Sequence, residues 1–384
     1  MWHIWSFEAA LRDIIDSIHL RPKHCVWELT ARCNMHCLHC ASDLGNGRTR
    51  GAELSAAEAQ RLCHELKELE CENVVLSGGE AILRQDWEAI ARELVGLKIN
   101  VSLISNGLLI DERMADRIRQ AGLCRVALSL DGLESTHNYI RCNPRSFECV
   151  VRAFSLLKAR GLQVNIVTHI HRMNLGELGQ LEDIMAGLGV DVWRLQLGSP
   201  VGRMAQHPEL HIAPEQLPEV ADFIVGAKRR GKVYIDVGDN VGYFGRQEIE
   251  LRRGAEPALF GFWCGCSAGC LTVGIEANGN VRGCLSLQSD RFVEGNVRSE
   301  SLESIWRRPG SFRYTRGFCP EDLHGYCKGC EYGEICRGGC TFMAFGATGS
   351  PHNNPYCLYR VENALNQDVR GPGHESAPPI SASG

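Results

Sequence analysis

Short apolar segments alternate with amphipathic ones along the first two hundred residues of the chain. The apolar segments are rich in Val, Ile and Leu, and they lie at 26–30, 73–77, 100–105, 125–130, 163–170 and 191–197. Between them, apolar side chains recur at helical spacing at 55–69, 111–121, 147–160 and 175–188. This alternation is typical of a parallel sheet that is buried on both faces. Six such units predict an α/β fold, a partial (β/α)6 TIM-like barrel.

The chain departs from this repeat at its ends and after the sixth strand. Residues 1–22 predict an amphipathic helix, which is too short to be a separate peptide-binding domain. We expect the barrel core at 23–230 and a bridge with one more strand at 231–262. A small cysteine-rich α+β domain is expected at 263–365. Low apolar content predicts a disordered tail at 366–384.

Polar residues and glycines follow the predicted strands, where parallel barrels build their active sites. These residues are Gly78, Gly79 and Glu80 after the second strand, Ser105 and Asn106 after the third, and Ser129 and Asp131 after the fourth. Taken singly, each is an ordinary turn or strand end. Because they occur in order and each at a strand end, we predict one binding site, in which the two glycines let the backbone approach a ligand.

The first strand leads into three closely spaced cysteines, Cys33, Cys37 and Cys40, at a C-x3-C-x2-C spacing. Three thiolates leave a tetrahedral zinc site one ligand short, whereas a four-iron cluster held by three cysteines keeps one iron open for a substrate or cofactor. The spacing therefore favours an iron–sulfur cluster with an open iron. The alternative is a zinc knuckle that takes its fourth ligand from elsewhere.

Composition restricts the class of protein. Apolar residues make up 44% of the 384 residues and charged residues 23%, and the formal net charge of −5 argues against a nucleic-acid partner. There is no apolar run of the roughly 18 residues that a membrane helix needs, and the N-terminus lacks the pattern of a secretory signal. We therefore expect a cytoplasmic protein without a membrane partner. In such a chain, 19 cysteines indicate metal or redox ligands rather than disulfides.

A second group of cysteines occupies the C-terminal third of the chain. It surrounds the segment 272–284, whose alternating pattern and Asn278-Gly279 pair predict a β-hairpin with a type I′ turn. The ligand-like members are Cys264, Cys270, Cys284, Cys327, Cys330, Cys336, Cys340 and Cys357. Spacing alone also permits a pair of zinc ribbons. The remaining cysteines are scattered and predicted to be buried apolar residues: Cys25, Cys63, Cys71, Cys124, Cys142, Cys149, Cys266 and Cys319.

The three-cysteine motif, with His39 before its last cysteine, resembles the signature of the radical S-adenosylmethionine (SAM) superfamily. The resemblance implies that Cys33, Cys37 and Cys40 hold a 4Fe-4S cluster whose open iron binds SAM. The segment 78–81 is similar to the family's Gly-Gly-Glu-Pro motif, which contacts the SAM amino group, with Ala81 in place of proline.

Further likenesses imply the other SAM contacts. In the family, polar residues such as Ser105, Asn106, Ser129 and Asp131 hold the ribose and carboxylate of SAM. The segment 137–141 resembles a His-Asp-x-x-Arg pattern whose arginine meets the SAM carboxylate. Asn138 departs from that pattern, so only Arg141 is transferred. The segment 200–203 is similar to a Pro-x-Gly-Arg loop of family members that act on peptides and tetrapyrroles.

The second cysteine group resembles the SPASM domain, which carries two auxiliary 4Fe-4S clusters. The likeness assigns the ligands in two sets: Cys264, Cys270, Cys284 and Cys340 for one cluster, and Cys327, Cys330, Cys336 and Cys357 for the other. Cys266 is a rival for Cys264. The family uses a reductant such as flavodoxin or ferredoxin, and it cleaves SAM to a 5′-deoxyadenosyl radical that abstracts hydrogen from an unactivated C–H.

Several functions fit these features. We favour hydrogen abstraction from a ribosomally made peptide or small-protein substrate, leading to crosslinking, epimerisation or oxidation. Sulfatase-maturing enzymes carry an aspartate after the hairpin cysteine, where this chain has Leu285. A tetrapyrrole propionate decarboxylase of an alternative haem pathway shares the cysteine pattern. A non-enzymatic electron carrier or iron–sulfur scaffold would leave the glycine loop and the polar strand ends without a role.

Overall fold

The fold is built on one large sheet. The computed structural model describes residues 20–44, 51–254 and 261–370. Residues 20–22 are irregular, and the rest of the predicted N-terminal helix lies outside the described residues, as does the predicted tail beyond Arg370. Among the described residues, no helix is both long and apolar enough to cross a membrane.

Seven parallel strands form the main part of the sheet in chain order. They are β1 (His24–Thr30), β2 (Asn73–Gly78), β3 (Asn100–Ser105), β4 (Arg125–Ser129), β5 (Gln163–Ile170), β6 (Val192–Leu197) and β7 (Ile235–Val237). The six predicted barrel strands are therefore all present. The seventh, predicted within a bridge, pairs with β6 and continues the sheet.

Helices connect these strands. They are α1 (Ala56–Glu68), α2 (Trp87–Gly96), α3 (Glu112–Gln120), α4 (Glu134–Ile140), α5 (Ser146–Lys158), α6 (Leu178–Leu188) and α7 (Leu217–Arg230). The predicted capping box is present, since the Ser55 side chain accepts from the Glu58 N–H and the Glu58 carboxylate accepts from the Ser55 N–H. Side chains alternate along β5 between buried and half-buried. One face of the strand therefore packs under α5, while the other, with Asn165 and His169, borders the interior of the open barrel.

The cysteine-rich part extends the same sheet instead of standing apart. β8 (Thr272–Ile275) pairs with β1 in parallel, with His24 opposite Thr272, and β9 (Asn280–Arg282) and β10 (Gly295–Asn296) follow antiparallel. The strand order is β10-β9-β8-β1-β2-β3-β4-β5-β6-β7, so the barrel is not closed. One hydrophobic core runs through both parts, from Cys25 to Val361.

The hairpin turn differs from the prediction. A type I′ turn needs positive φ at both central residues, but among Asn278 and Gly279 only Gly279 has it, at 91°. The Gly279 N–H donates to the Glu276 carbonyl at 2.8 Å, and the Glu276 N–H donates to the Asn280 carbonyl at 2.9 Å. The loop is therefore wider than predicted, with one glycine in the left-handed region.

Short helices complete the C-terminal part. They are α8 (Glu248–Arg252), α9 (Leu302–Arg307), α10 (Arg313–Arg316), α11 (Gly333–Cys336), α12 (Thr341–Thr348) and α13 (Leu358–Arg370). The last of these packs against α7 of the barrel and extends five residues into the region predicted as a tail. Of the cysteines predicted to be buried apolar residues, Cys25, Cys63, Cys71 and Cys149 are buried, whereas Cys124 and Cys142 are exposed and Cys266 and Cys319 are half-buried.

Candidate active site

The loop after β1 brings the three predicted cluster cysteines together. Cys33 interacts electrostatically with Cys37 and Cys40, and the Cys40 N–H donates to the Cys37 carbonyl at 3.3 Å. Burial, opposed by the Met35 N–H, raises the pKa of Cys33 to about 11. A thiol with so high a pKa becomes a thiolate only when a metal takes the place of its proton. The donor set fits a cluster that needs three thiolates.

A buried carboxylate lies directly beneath this loop. Asp131 is fully buried, and its Oδ2 accepts from Arg141 Nε at 2.7 Å and lies 3.3 Å from His39 Nε2. Its Oδ1 accepts from the His169 N–H at 2.9 Å. Burial alone would raise the pKa of Asp131, but Arg141 and His39 hold it well below its usual range. The carboxylate is therefore ionised and connects the cysteine loop to β4 and β5.

Arg141 reaches from this carboxylate to the cysteine loop. Its Nη1 lies 3.8 Å from Cys37 Sγ, and the side chain is buried. The neighbouring His137 accepts from the Asp131 N–H and contacts Ser146 Oγ at 2.8 Å. Burial first, and then the charge of Arg141, lower the pKa of His137 to about 3, so its ring is neutral. Arg141 is thus placed as a partner of Asp131 and Cys37, and a contact with the SAM carboxylate stays a prediction.

The second strand end carries the other buried carboxyl group. Glu80 Oε2 accepts from the Asn106 N–H at 2.9 Å, and Oε1 is buried without a hydrogen-bond partner among the described residues. Burial raises the pKa of Glu80 to about 7, against hydrogen bonds from Asn106 and Ser105. The Asn106 amide donates to Asn34 Oδ1 at 2.8 Å, which ties the third strand end to the cysteine loop. An unpartnered buried oxygen here suits a ligand with an N–H donor.

The two glycines before Glu80 are required by protein packing. A Cβ at Gly78 would overlap the Thr30 carbonyl, and a Cβ at Gly79 would overlap the Arg32 carbonyl and come within 2.8 Å of Cys33 Cβ. We predicted that they allow a ligand to approach. In the structure they allow the loop after β2 to lie directly on the cysteine loop, and this close packing is the stronger constraint.

The loop after β6 packs against the cysteine loop and donates hydrogen bonds to it. Arg203 is buried, and it donates to the Cys37 carbonyl at 2.8 Å, to Asp43 Oδ1 at 2.9 Å and to the Leu44 carbonyl at 3.0 Å. The Arg203 N–H also donates to the Cys40 carbonyl at 3.0 Å. The Pro-x-Gly-Arg segment therefore acts as a clamp on the backbone between two of the cysteines.

Ser129 stands apart from these contacts. It is half-buried at the end of β4, opposite Val167, and its hydroxyl makes no hydrogen bond to a described residue.

Sequence reasoning missed the residues that follow β5. Asn174 Nδ2 donates to the Asp131 carbonyl at 2.8 Å, and His171 Nε2 lies 3.1 Å from the same oxygen. The sequence could have indicated both residues, because they are polar and follow the end of a predicted strand, as the other site residues do.

Two cysteines compete for the fourth position of the first auxiliary set. Cys266 interacts electrostatically with Cys270, Cys284 and Cys340, whereas the largest charge effects on Cys264 come from Arg337 and Asp239. The structure therefore places Cys266, the rival in the sequence, near the other three thiols, and the choice between Cys264 and Cys266 as a ligand stays a prediction. The spacing could not separate the two, because they lie only two residues apart on a loop whose path depends on distant contacts.

The four cysteines predicted for the second auxiliary cluster lie near one another, and their role as ligands stays a prediction. Cys336 interacts with Cys357, Cys327 and Cys330, in that order of strength. These four line a small pocket together with Gly333, Gly338 and four aromatic residues. Those aromatic residues are Phe244, Tyr326, Tyr332 and Tyr359. Four thiols around an apolar cavity fit a compact cluster that is shielded from water.

Within the three described ranges, no three His, Cys, Asp or Glu side chains converge on a point where one metal ion would bind. The choice between iron–sulfur clusters and zinc therefore rests on the family to which the chain belongs.

Comparison with known proteins agrees with this geometry. The profile of the Radical SAM superfamily matches residues 27–184, and that of SPASM, an iron–sulfur cluster-binding domain, matches residues 266–331. The chain belongs to the radical SAM superfamily. As a radical SAM/SPASM enzyme it uses SAM and three 4Fe-4S clusters. When bound, these cofactors supply the reducing electron and the 5′-deoxyadenosyl radical.

Relatives of this radical SAM enzyme carry two kinds of name. This chain is 31% identical over 345 residues to the AdoMet-dependent heme synthase of Oleidesulfovibrio alaskensis, and the alignment covers 87% of this chain and 86% of that protein. This chain is also 30% identical over 339 residues to the mycofactocin maturase MftC of Mycobacterium ulcerans, and the alignment covers 86% of this chain and 85% of that protein.

Solved structures share the fold. SuiB of Streptococcus suis bound to S-adenosylmethionine superposes with a TM-score of 0.69 at 17% identity, covering 91% of this chain and 78% of SuiB. The enzyme anSMEcpe with bound AdoMet has a TM-score of 0.68 at 18% identity, covering 90% of this chain and 98% of that one. At these identities the likeness shows the architecture alone, an unclosed parallel barrel followed by a SPASM domain.

Proposed function

We propose that this radical SAM/SPASM enzyme modifies a peptide or small protein by hydrogen abstraction. Cys33, Cys37 and Cys40 hold the SAM cluster. Two sets of four cysteines hold the auxiliary clusters: Cys266, Cys270, Cys284 and Cys340, and Cys327, Cys330, Cys336 and Cys357. The relatives of about 30% identity include both a mycofactocin maturase and an AdoMet-dependent heme synthase. The choice between these substrate classes rests on the charges around the barrel interior.

One observation carries the choice: an unpaired carboxylate near the first auxiliary set. Asp239 follows β7, and among the described residues its carboxylate has no hydrogen bond and no cation within 4 Å. Its backbone is held near this set, because Tyr243 Oη donates to the Asp239 carbonyl at 3.0 Å and accepts from the Cys340 N–H at 2.8 Å. Burial raises the pKa of Asp239, although Arg194 and Arg252 oppose the shift.

Three arginines of the barrel are paired with carboxylates, whereas Arg337 and Arg360 beside the auxiliary thiol sets have no carboxylate within 4 Å among the described residues. Arg194 pairs with Asp236, Arg141 with Asp131, and Arg203 with Asp43. A tetrapyrrole with propionate groups brings several negative charges and needs unpaired cations to receive them. An unpaired carboxylate instead favours N–H donors or a cationic side chain. A peptide supplies both.

The residue beside the hairpin cysteine argues against aldehyde formation. Leu285, directly after Cys284, is half-buried, and its carbonyl accepts from the Gln288 side chain. A leucine cannot accept the hydroxyl or thiol proton that must leave when a Ser or Cys side chain is oxidised to an aldehyde. Crosslinking and epimerisation both start from a radical at carbon. Crosslinking then gives up a second electron, which an auxiliary cluster can accept, and a proton, whereas epimerisation takes back a hydrogen atom. Neither needs residue 285 to accept a proton from a Ser or Cys side chain.

The test compares three substrates with the anaerobically purified, dithionite-reduced enzyme. A peptide encoded beside the gene is expected to lose two mass units or to exchange an α-hydrogen in deuterated solvent, as measured by mass spectrometry. A sulfatase-motif peptide and a tetrapyrrole with propionate side chains are expected to remain unchanged. Formylglycine in the second peptide, or loss of carbon dioxide from the tetrapyrrole, would overturn the proposal.

Asp239→Asn tests the observation itself. It removes the charge but keeps the shape, so we expect the peptide product to fall at least tenfold while SAM cleavage without substrate persists. Glu303→Gln, on the exposed face of α9, is the matched control and should leave product formation unchanged. Equal product yields from Asp239→Asn and the wild type would remove the argument for a peptide.

A further inference from the structure

Arg337 lies between the two auxiliary thiol sets. It directly follows Cys336 of one set and precedes Cys340 of the other by three residues. Its φ is 56°, in the left-handed region that disfavours residues with a Cβ. The backbone is held there because the Arg337 N–H donates to the Gly333 carbonyl at 2.8 Å and its own carbonyl lies 3.0 Å from His352 Nδ1. The chain therefore has an arginine at a position whose positive φ favours glycine.

The side chain of Arg337 runs toward the first thiol set. A Cβ at Gly265, between Cys264 and Cys266, would lie 3.0 Å from Arg337 Cδ, and the guanidinium lies 5.5 Å from the centre of the Phe318 ring. Arg337 Nε is buried without a hydrogen-bond partner, and no carboxylate of the described chain lies within 4 Å of this guanidinium. Its charge acts on Cys264 and Cys270. A half-buried guanidinium without an acidic partner is unfavourable unless another anion is present.

The second thiol set has an arginine of the same kind. Arg360 lies on α13, with its guanidinium 4.7 Å from the ring centre of Tyr326, and its charge acts on the neighbouring Cys327. Its backbone N–H also donates to the Cys357 thiol. Arg360, too, has no carboxylate within 4 Å among the described residues. Each set of four thiols therefore has its own half-buried, unpaired cation.

A third arginine near the first set differs in its contacts. Arg316 also interacts electrostatically with Cys270, but its guanidinium donates hydrogen bonds to the carbonyls of Gly269 and Trp306 and interacts with the charge of Glu294. Its guanidinium stacks on Trp306 at 4.2 Å from the ring centre. These contacts explain Arg316 as part of the packing of α10. No such contacts account for Arg337.

We propose that Arg337 is the counter-cation of the first auxiliary cluster and Arg360 that of the second, and that each raises the reduction potential of its own cluster. A 4Fe-4S cluster with four thiolates is an anion, and one-electron reduction adds a negative charge without a proton. A nearby unpaired cation stabilises the reduced state more than the oxidised one, and net charge around a cluster is one of the factors that set its potential. This assignment does not depend on the identity of the substrate.

The test is a redox titration of the reconstituted full-length enzyme, followed by electron paramagnetic resonance. The signals of the two auxiliary clusters are assigned with the Cys284→Ala and Cys327→Ala variants, each of which removes one of them. Arg337→Gly removes the charge and also suits the positive φ, so the fold is not put at risk. Arg337→Lys keeps the charge. Arg307→Gln, whose arginine is exposed and paired with Glu303, is the control.

We expect Arg337→Gly to shift the first auxiliary cluster to a lower potential and leave the second in place. Arg337→Lys should lie close to the wild type, because the charge is kept. Arg360→Gln should shift the second cluster alone. An unchanged first potential in Arg337→Gly, equal shifts in Arg337→Gly and Arg337→Lys, or shifts of both clusters in either variant would overturn the proposal. The measurement is made without substrate, so it stands apart from the test of peptide modification.

Discussion

At the scale of single residues, two buried carboxyl groups beneath the cysteine loop are in opposite charge states. Asp131 has Arg141 and His39 as partners that keep it ionised, whereas Glu80 has backbone and hydroxyl partners and one oxygen without a hydrogen-bond partner among the described residues. A buried carboxyl group without a cation favours its protonated form. Glu80 is therefore close to half-protonated near neutral pH, and Asp131 is a permanent anion.

Glu80→Gln should change how stability depends on pH. The folded-state pKa of about 7 lies above the ordinary value of 4.5, so the contribution of Glu80 is fully present below pH 4.5 and is lost as the pH rises through 7. The loss corresponds to about 3 kcal/mol in the free energy of unfolding. Urea titrations of the metal-free protein at pH 5 and pH 8 measure it. The wild type should lose more stability than the Gln variant, and parallel curves would contradict the assignment.

At the scale of elements, the loops after the strands pack on one another. The loop after β2 touches the cysteine loop through Gly79, next to Arg32 and Cys33, and the loop after β6 touches it through Gly202. A Cβ at Gly202 would overlap the carbonyls of Ala41 and Cys40. The shape of the cysteine loop is thus set by its neighbours as well as by its own sequence.

Gly202→Ala tests this packing against a matched glycine. Gly202 has a φ of 58° and Gly231 at the end of α7 has 65°, but a Cβ at Gly231 meets no atom within 4 Å. Both alanine variants bear the cost of positive φ, about 1 kcal/mol. Only Gly202→Ala displaces the cysteine loop, so it should lose additional stability and iron. Equal unfolding free energies and equal iron contents in the two variants would show that the contact has no such effect.

At the scale of the whole molecule, the auxiliary part is joined to the SAM site through β1. Residues of β8 pair with the strand that ends in the cysteine loop, and the Ala277 N–H donates to Glu28 Oε1 at 3.2 Å. Arg298 adds hydrogen bonds to the carbonyls of Ala52 and Glu53, just before α1. The cysteine loop and the hairpin that carries Cys284 of the first auxiliary set are therefore joined by one continuous sheet.

The division of labour among these sets can be measured by iron content and SAM cleavage. The anaerobic enzyme should contain about twelve irons per chain, and changing Cys33, Cys37 and Cys40 to Ala should remove about four and abolish 5′-deoxyadenosine formation. Cys327→Ala or Cys357→Ala should also lose iron but keep some cleavage while product is lost. Zinc in the C-terminal part, or equal loss of cleavage in all variants, would contradict this arrangement.

Local patterns in the sequence by themselves determined the strands and helices of the barrel, the loops that carry the site and the grouping of most cysteines. Periodicity and short spacings express contacts within a few residues, so they can be recognised in one chain. Only the tertiary structure decided what Asp131 holds, that Cys266 lies near Cys270, and that β8 extends the barrel sheet beside β1. These features depend on contacts between segments that are far apart in the chain, such as His39 with Asp131 or β1 with β8, or on the exact path of a loop. Their energies arise only when those segments pack together.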